Sequence, residues 1–545
     1  MNRLPTKTTE PAPDADRAAA PRSTGRSADF VAIGILCSRL TGLVRQRVFA
    51  HYFGLQTDAA DAFSAAFRIP NFLQNLFGEG ALSASFIPVY AALLARGARP
   101  QADRVARAVG SLLAVVVSAI VLVGVFATPL LIAAIAPGFA GDKRDLTIAI
   151  VRILFPGAGL LVMSAWCLGV LNSHHRFLLS YTAPVMWNAA MIATLVWFGA
   201  QTPLPRLAAL LAWGSVVGSA LQFGVQVPFV LRVAPGLAAR GGPRDAETTR
   251  HVRVVVRNFV PVFFSRGVVQ ISAYVDTLLA SLLPTGAVTG LMNAQLLYTL
   301  PVSLFGMSVS AAELPAMSGA IGADRSGAEA VRRRLNAGLR QIAFFVVPSA
   351  MAFLALGDIV AAAVLQTGRF THTDALYVWG ILAGAAIGLL PSTLGRLYAS
   401  TYFALRDTRT PLKYAIVRVT LAMVLGYVCA IPLPRWLGIS AAWGAAGLTA
   451  SGGLVGWLEM LLLRRTLTRS IGAAGLPWDY VVKLWSAAIV GAAAAWAVKL
   501  AAVPLHPILT AIIVLGLYGV VFVAVTLALR IPEASNAIRR LLRQS

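Results

Sequence analysis

The chain has 545 residues, 58% of them hydrophobic and only 12% charged, with a mean hydropathy of +0.74. Ordinary soluble domains carry about 25% charged residues, so this composition excludes a soluble globular enzyme and points to an all-α polytopic membrane protein. A net charge of +24 would suit a nucleic-acid binder if the cations shared one surface, so their location along the chain decides that question.

Residues 1–28, MNRLPTKTTEPAPDADRAAAPRSTGRSA, are rich in Pro, Ala, Ser and charge and lack the apolar stretch of a secretory signal. They are expected to form a disordered cytoplasmic tail. A spanning helix needs about 20 apolar residues to cross roughly 30 Å of hydrocarbon. By that measure about fourteen transmembrane helices are predicted, near residues 30–52, 60–95, 106–136, 146–172, 177–200, 206–232, 255–283, 287–319, 338–366, 374–403, 411–432, 438–463, 479–502 and 506–530. The connections are short, and none could hold a separate domain.

With the N-terminus inside, one side of the membrane collects the basic loops ARGARPQADRVAR, SHHRF, LAARGGPRDAETTRHVRVVVRN, ADRSGAEAVRRRLNAGLR, LRDTRTPLK, LRRTLTRS and IRRLLRQS. The other side holds Lys143, Arg144, Arg206, Arg369 and Arg435. This asymmetry predicts both termini in the cytoplasm and accounts for the positive charge without nucleic acid. Cys37, Cys167 and Cys429 sit in apolar runs at spacings that match no metal or redox motif, and are read as buried small hydrophobes.

A faint repeat divides the chain. Ser38-Arg39 precedes Pro70, an LFG at 76–78 and an IP at 87–88; Ser265-Arg266 precedes Pro301, an LFG at 304–306 and an LP at 314–315. Two related halves are a plan on which alternating-access transporters are built, with the substrate site between them.

Ionisable residues inside spans are costly and normally face a cavity or a partner. Here they gather in the first two spans (Arg39, Arg45, Arg47, Asp61, Arg68, Glu79), the seventh (Arg266, Asp276) and the eighth (Glu313). Asp61 and Glu79 are separated by about 27 Å of helix, so Arg68 between them lies too deep for snorkelling alone. On an ideal helix Asp61, Arg68 and Glu79 fall within about 20° of one another, whereas Arg39 and Arg45 project about 120° apart. Arg39 and Arg266, in matching places, would line the gap between halves with positive charge, and arginine's planar fork suits phosphate. Ion pairs that only fix packing are the competing reading of the same charges.

No Walker A motif is present, and no outer loop offers a convergent acid–base set, so neither ATP drive within this chain nor an enzyme is expected. His51 and the FTHTD loop at 370–374 are read as isolated loop histidines.

The stretch CSRLTGLVRQRVFAHYFG (37–54), followed by DAFSAAFRIPNFLQNLFGEGALSASFIPVY (61–90), resembles the N-terminal signature of the MurJ (MviN) flippases of lipid II, within the multidrug, oligosaccharidyl-lipid and polysaccharide exporter superfamily. YFALRDTRTPLK (402–413) is similar to that family's loop between spans ten and eleven. The resemblance covers nearly all of the chain after residue 29. It implies two six-helix lobes around a central cavity, at 29–235 and 255–465, a basic linker at 236–254, and two C-terminal helices in 466–545 that form a groove for a polyprenyl tail. Lys483 and Lys499 are exceptions in that groove to be explained.

The resemblance also implies a headgroup cavity. Arg39 and Arg45 match two of its arginines, Asp61 matches the aspartate of its DAF and Glu79 the acid of its EGA turn; Arg68 and Arg266 join them on the argument from charge. Two family arginines are absent, with Gln74 and Leu296 in their places; Arg68, one turn from Gln74, could compensate for the first. Asp276 matches the aspartate of the family's sodium site. Ala422 and Gly426 stand at the partner positions and Arg418 would repel a cation, so sodium coupling is not expected. No cofactor or metal is expected either. A membrane potential could still bias a charged headgroup, by about 2.3 kcal/mol per charge per 100 mV.

The sequence thus reads as a flippase for lipid II in the bacterial cytoplasmic membrane, with a monomer favoured. An exporter of another polyprenyl-linked glycan or amphiphile, and a non-transporting envelope scaffold, are the alternatives.

Overall fold

The computed structural model describes residues 24–77, 81–238, 245–319, 325–501, 505–536 and 539. In chain order the helices are α1 (Thr24–Phe53), α2 (Asp58–Phe77), α3 (Ser83–Ser85), α4 (Ile87–Ala95), α5 (Arg99–Ile135), α6 (Gly141–Ser173), α7 (Phe177–Phe198), α8 (Leu204–Val233), α9 (Ala246–Ser281) and α10 (Ala287–Pro301). There follow α11 (Ser308–Gly319), α12 (Arg325–Leu365), α13 (His372–Ile387), α14 (Leu389–Ala404), α15 (Arg409–Ala430), α16 (Pro432–Trp436), α17 (Gly444–Ile471), α18 (Trp478–Ala501) and α19 (Pro507–Ala528). Among the described residues there is no β-strand.

Nine helical stretches are long and apolar enough to cross a membrane, and the bent pair α13–α14 makes ten. With α1, α2, α7 and α9 the total reaches the fourteen predicted. Three of those four, α1, α2 and α9, carry the intramembrane charges, and charge is what lowers their hydropathy. Large apolar side chains such as Phe126, Leu130 and Val520 are exposed on the outside of the assembly, where only lipid could cover them. Trp197, Trp436 and Trp478 are exposed close to helix ends, the usual depth of interfacial tryptophans.

Local sequence explains several helix starts. Asp245 accepts from the Thr248 amide at 2.8 Å and begins α9. Thr371 and Asp374 form a reciprocal capping box at the start of α13, so the FTHTD segment is a helix start. Proline occupies the first turn of α5, α8 and α19, where its missing N–H costs nothing. The two LFG stretches are each followed or overlapped by π-helical backbone, at 81–82 and at Val302–Met307, which gives the faint repeat a structural counterpart.

Two large apolar cores organise the helices. The first, including Phe53, Phe63, Phe86, Leu154 and Leu211, is built largely from α1–α8; the second, including Leu291, Val346, Leu382, Leu397 and Leu484, largely from α10–α19. Of the three cysteines only Cys167 is fully buried; Cys37 is exposed and Cys429 intermediate, because the apolar runs that hold them turn one side away from protein.

The last two helices are pinned along α12. Tyr480 donates to the Arg340 carbonyl (3.1 Å), Tyr518 to that of Pro348 (2.8 Å) and Trp496 to that of Ala355 (2.8 Å), while Lys499 pairs with Asp358 at 2.6 Å. From residue 340 to 358 is about 27 Å of helix, close to the full hydrocarbon depth. α12 is kinked at Leu356, and the carbonyls released there accept from indoles: Trp379 bonds those of Phe353 and Leu354, Trp496 that of Ala355. Lys499 is thereby accounted for. Lys483 is exposed on the second turn of α18.

Candidate functional site

The two halves meet along a polar seam at the face that carries residues 54–57, 136–140, 282–286 and 366–371. Asp61 of α2 is its centre and is 1% exposed. Its Oδ1 accepts from the Thr289 amide (2.9 Å) and hydroxyl (2.8 Å); its Oδ2 accepts from the Gly286 amide (2.9 Å) and from Lys143 Nζ (2.8 Å). Gly286, in the left-handed region at φ 98°, immediately precedes α10, and no side chain of its own caps the first turn. Asp61 supplies that cap from another helix, where the free N–H groups and the helix dipole favour a carboxylate. Asp61 was expected on the wall of a headgroup cavity. The structure instead buries it between the halves, because α10 and Lys143 claim both oxygens.

Further contacts extend the seam. Thr285 donates to Asp58 (2.9 Å), Gln46 to Asn293 (2.7 Å), and the Gly138 amide to Ser281 Oγ (3.2 Å). Arg47 donates to the Ala363 and Val364 carbonyls at 2.7 and 3.1 Å, the open C-terminal end of α12. His51 is not isolated: its Nδ1 lies 2.9 Å from Thr367 Oγ1 and its carbonyl accepts from the Arg369 amide.

Deeper in, Arg45 lies over the rings of Phe67 and Trp187, 4.9 and 5.4 Å from their centroids, with Met191 Sδ 3.9 Å from its Nη1. Phe67 and Trp187 are themselves stacked at 5.3 Å. Among the described residues no carboxylate reaches this guanidinium, so its charge is held by π-faces and the Met191 sulfur. Arg68 approaches Gln295 of α10, Nη2 to Oε1 at 3.3 Å, and its carbonyl accepts from the Tyr274 hydroxyl of α9 at 3.0 Å. Asp61 and Arg68 therefore do share a face, the one turned to α10. Arg39 is exposed on α1 and has no hydrogen bond or ion pair among the described residues. Glu79 and the side chain of Arg266 lie outside the described residues.

The second half contains an open cavity of about 770 Å³ between α9, α10, α14, α15 and α17. Asp276 lines it, as do Gln295, Tyr298, Arg396, Arg418 and Glu459. Arg418 Nε is 3.1 Å from Glu459 Oε2, and Tyr298 shares a 2.7 Å hydrogen bond with Ser392. Leu296 is half-buried and absent from the lining; α10 presents Gln295 and Tyr298 instead. Of the sequence-predicted site residues that are described, only Asp276 belongs to this cavity. Arg396, Arg418 and Glu459 were missed as lining residues, although each is a lone charge within a predicted span, the signal that singled out Arg68.

At the opposite face the halves also touch. Phe77 of α2 packs on Phe259 and Phe263 of α9, with centroids 5.8 and 5.1 Å away. The chain leaving α8 is held to α5: the Gly236 amide donates to Asp103 at 3.0 Å, Arg107 bonds the Gly236 carbonyl, and Arg104 pairs with Asp245 at 3.3 Å. In the 405–408 turn, hydrogen bonds from Thr410, with those from the Arg409 amide, hold the Asp407 carboxyl below the usual range.

Fourteen membrane columns, a helix-capping carboxylate between two halves and a charged internal cavity describe a transporter. Comparison with known proteins agrees. A family model described as lipid II flippase MurJ matches residues 49–528. The lipid II flippase MurJ of Burkholderia cenocepacia is 33% identical over 433 residues, covering 78% of this chain and 80% of the relative. The probable lipid II flippase MurJ of Haemophilus influenzae is 30% identical, with 85% and 90% covered. A solved lipid II flippase MurJ in an inward closed conformation superposes with a TM-score of 0.73 at 22% identity, over 92% of this chain and 99% of that one. An inward-facing multidrug resistance MATE family transporter of the MOP superfamily superposes with a TM-score of 0.64 at 15% identity, over 81% and 98%. The chain is a multi-pass membrane transporter and belongs to the MurJ family of lipid II flippases.

Proposed function

We propose that this protein carries lipid II from the inner to the outer leaflet of the bacterial cytoplasmic membrane for peptidoglycan synthesis, with both termini in the cytoplasm. The observation that carries the reading is the pairing of a closed polar seam around Asp61 with an arginine-bearing cavity on the other half. In this reading the seam is the outer gate. The headgroup enters from the cytoplasmic side and arginines hold its diphosphate. The seam then parts, and the headgroup leaves outward while the tail stays in lipid. Arg45 and Arg68 supply charge from the first half, Arg39 lies farther from the seam on α1, Arg266 is included on its charge alone, and the α18–α19 pair supports the tail. No step requires a cofactor, and the membrane potential acts on the moving charge.

Cells depleted of their own lipid II flippase provide the test, with growth and outer-leaflet lipid II as the readouts. Rescue by this chain, and none by an Arg45→Ala variant of equal abundance, is the expected result. Full expression without lipid II appearing outside would overturn it in favour of another polyprenyl-linked glycan, the reading that Gln74 and Leu296 favour.

A further inference from the structure

The cavity of the second half gathers charges around Asp276 that were not read from the sequence as a headgroup site. Arg396 of α14, Arg418 of α15, Glu459 of α17 and Asp276 of α9 all line it. Arg418 pairs with Glu459 at 3.1 Å, yet its side chain remains 42% exposed and that of Glu459 22%. Arg418 also acts electrostatically on Asp276, Arg396 acts on Glu459, and Arg68 reaches Asp276 from the first half. Arg396 makes no hydrogen bond or ion pair among the described residues, although it faces the cavity. Two cations and two anions thus line one open space, with Arg68 acting on it from the first half.

Packing does not require this arrangement. Apolar side chains of similar volume generally stabilise such a position at least as well as an ion pair, and a pair left half open gains little from its Coulomb term. A guanidinium has five N–H donors in a planar fork, and one carboxylate engages only part of it. What remains open on Arg418, beside Arg396, which makes no hydrogen bond or ion pair among the described residues, fits an anion with several oxygens and more than one charge.

We infer that Arg396 and Arg418 form a diphosphate-binding subsite on the second half, in which Glu459 and Asp276 are internal counter-ions that hold the arginines while the cavity is empty. This rests on the reading of the chain as a lipid II carrier and assigns the residues of the second half that grip the headgroup. A diphosphate offers two sets of oxygens for bidentate contact, whereas each carboxylate offers one. The substrate therefore competes successfully for the guanidiniums. Their recapture by Glu459 and Asp276 keeps the affinity low enough for release on the far side, as any conducting site must.

The test uses the purified full-length protein in detergent, with lipid II and inorganic pyrophosphate as separate probes. Arg396→Ala and Arg418→Ala should each weaken lipid II binding by about tenfold, and Arg418→Lys should restore only part, because an ammonium lacks the fork. Glu459→Gln should move binding the other way, tightening it, because a competitor for Arg418 is gone. Pyrophosphate should displace lipid II from the wild type and fail to bind the double arginine variant. If Arg418→Ala does not fold, Glu459→Gln alone decides: weaker binding there, with lower thermal stability, makes the pair structural and overturns the subsite. Lipid II binding unchanged in the double variant would overturn it while leaving the transport reading intact. Arginine-dependent binding of pyrophosphate without any binding of lipid II would support the subsite and sink the assignment of lipid II.

Discussion

Asp61 caps a helix to which it does not belong: its Oδ1 accepts from the Thr289 amide at 2.9 Å, in the first turn of α10. One carboxylate thereby fastens the two halves at one face, and Lys143 neutralises it at 2.8 Å. Breaking a buried charge pair by removing one partner costs about 3–5 kcal/mol, enough to shift a two-state equilibrium by orders of magnitude.

Asp61→Ala should therefore open the seam without unfolding either core. A cysteine placed at Ala287, only 1% exposed in the first turn of α10, should react much faster with a membrane-impermeant thiol reagent in the Asp61→Ala background. Equal labelling rates in both backgrounds would mean that the remaining contacts hold the seam closed on their own.

Arg45→Met keeps much of the side chain's bulk and removes only the charge between Phe67, Trp187 and Met191. A cation over aromatic faces contributes about 0.5–2 kcal/mol. Thermal stability should fall by that modest amount or less, while headgroup transport is lost. Retained transport in this variant would restrict Arg45 to packing.

Lys499→Met leaves Asp358 buried without a cation, since that residue is only 4% exposed and its Oδ1 has no hydrogen-bond partner among the described residues. A loss of about 3–5 kcal/mol is expected for the single change. Adding Asp358→Leu should recover most of it, which thermal unfolding of the single and double variants would reveal. A double variant as unstable as the single one would show that the pair contributes more than charge balance.

Asp407 predicts a pH dependence of known sign. Its folded pKa is depressed by hydrogen bonds from Thr410, so the contribution is present above the ordinary carboxylate pKa and lost as pH falls through the depressed value. Asp407→Ala should lower the melting temperature slightly at neutral pH, and the difference from the wild type should vanish in acid. A difference that grew as the pH fell would contradict the assignment.

Membrane class, the number of spans and the existence of two halves were legible in the sequence because they depend on local composition. Apolar runs of about 20 residues can only span as helices, since lipid offers no partner for an unpaired backbone group. Charges inside those runs likewise marked Arg45, Arg68 and Asp276, and the spacing of Asp61 and Arg68 placed them on one helix face. Pairing, however, depends on which helices lie side by side. The capping of α10 by Asp61, the partner of Lys499 and the gathering of Arg396, Arg418 and Glu459 around one cavity join residues from 22 to 228 positions apart. A buried charge has a large energy only with its neighbour named. The sequence by itself determined that these charges lie within the membrane; only the tertiary structure decided which of them are latches, which are braces and which are left facing open space.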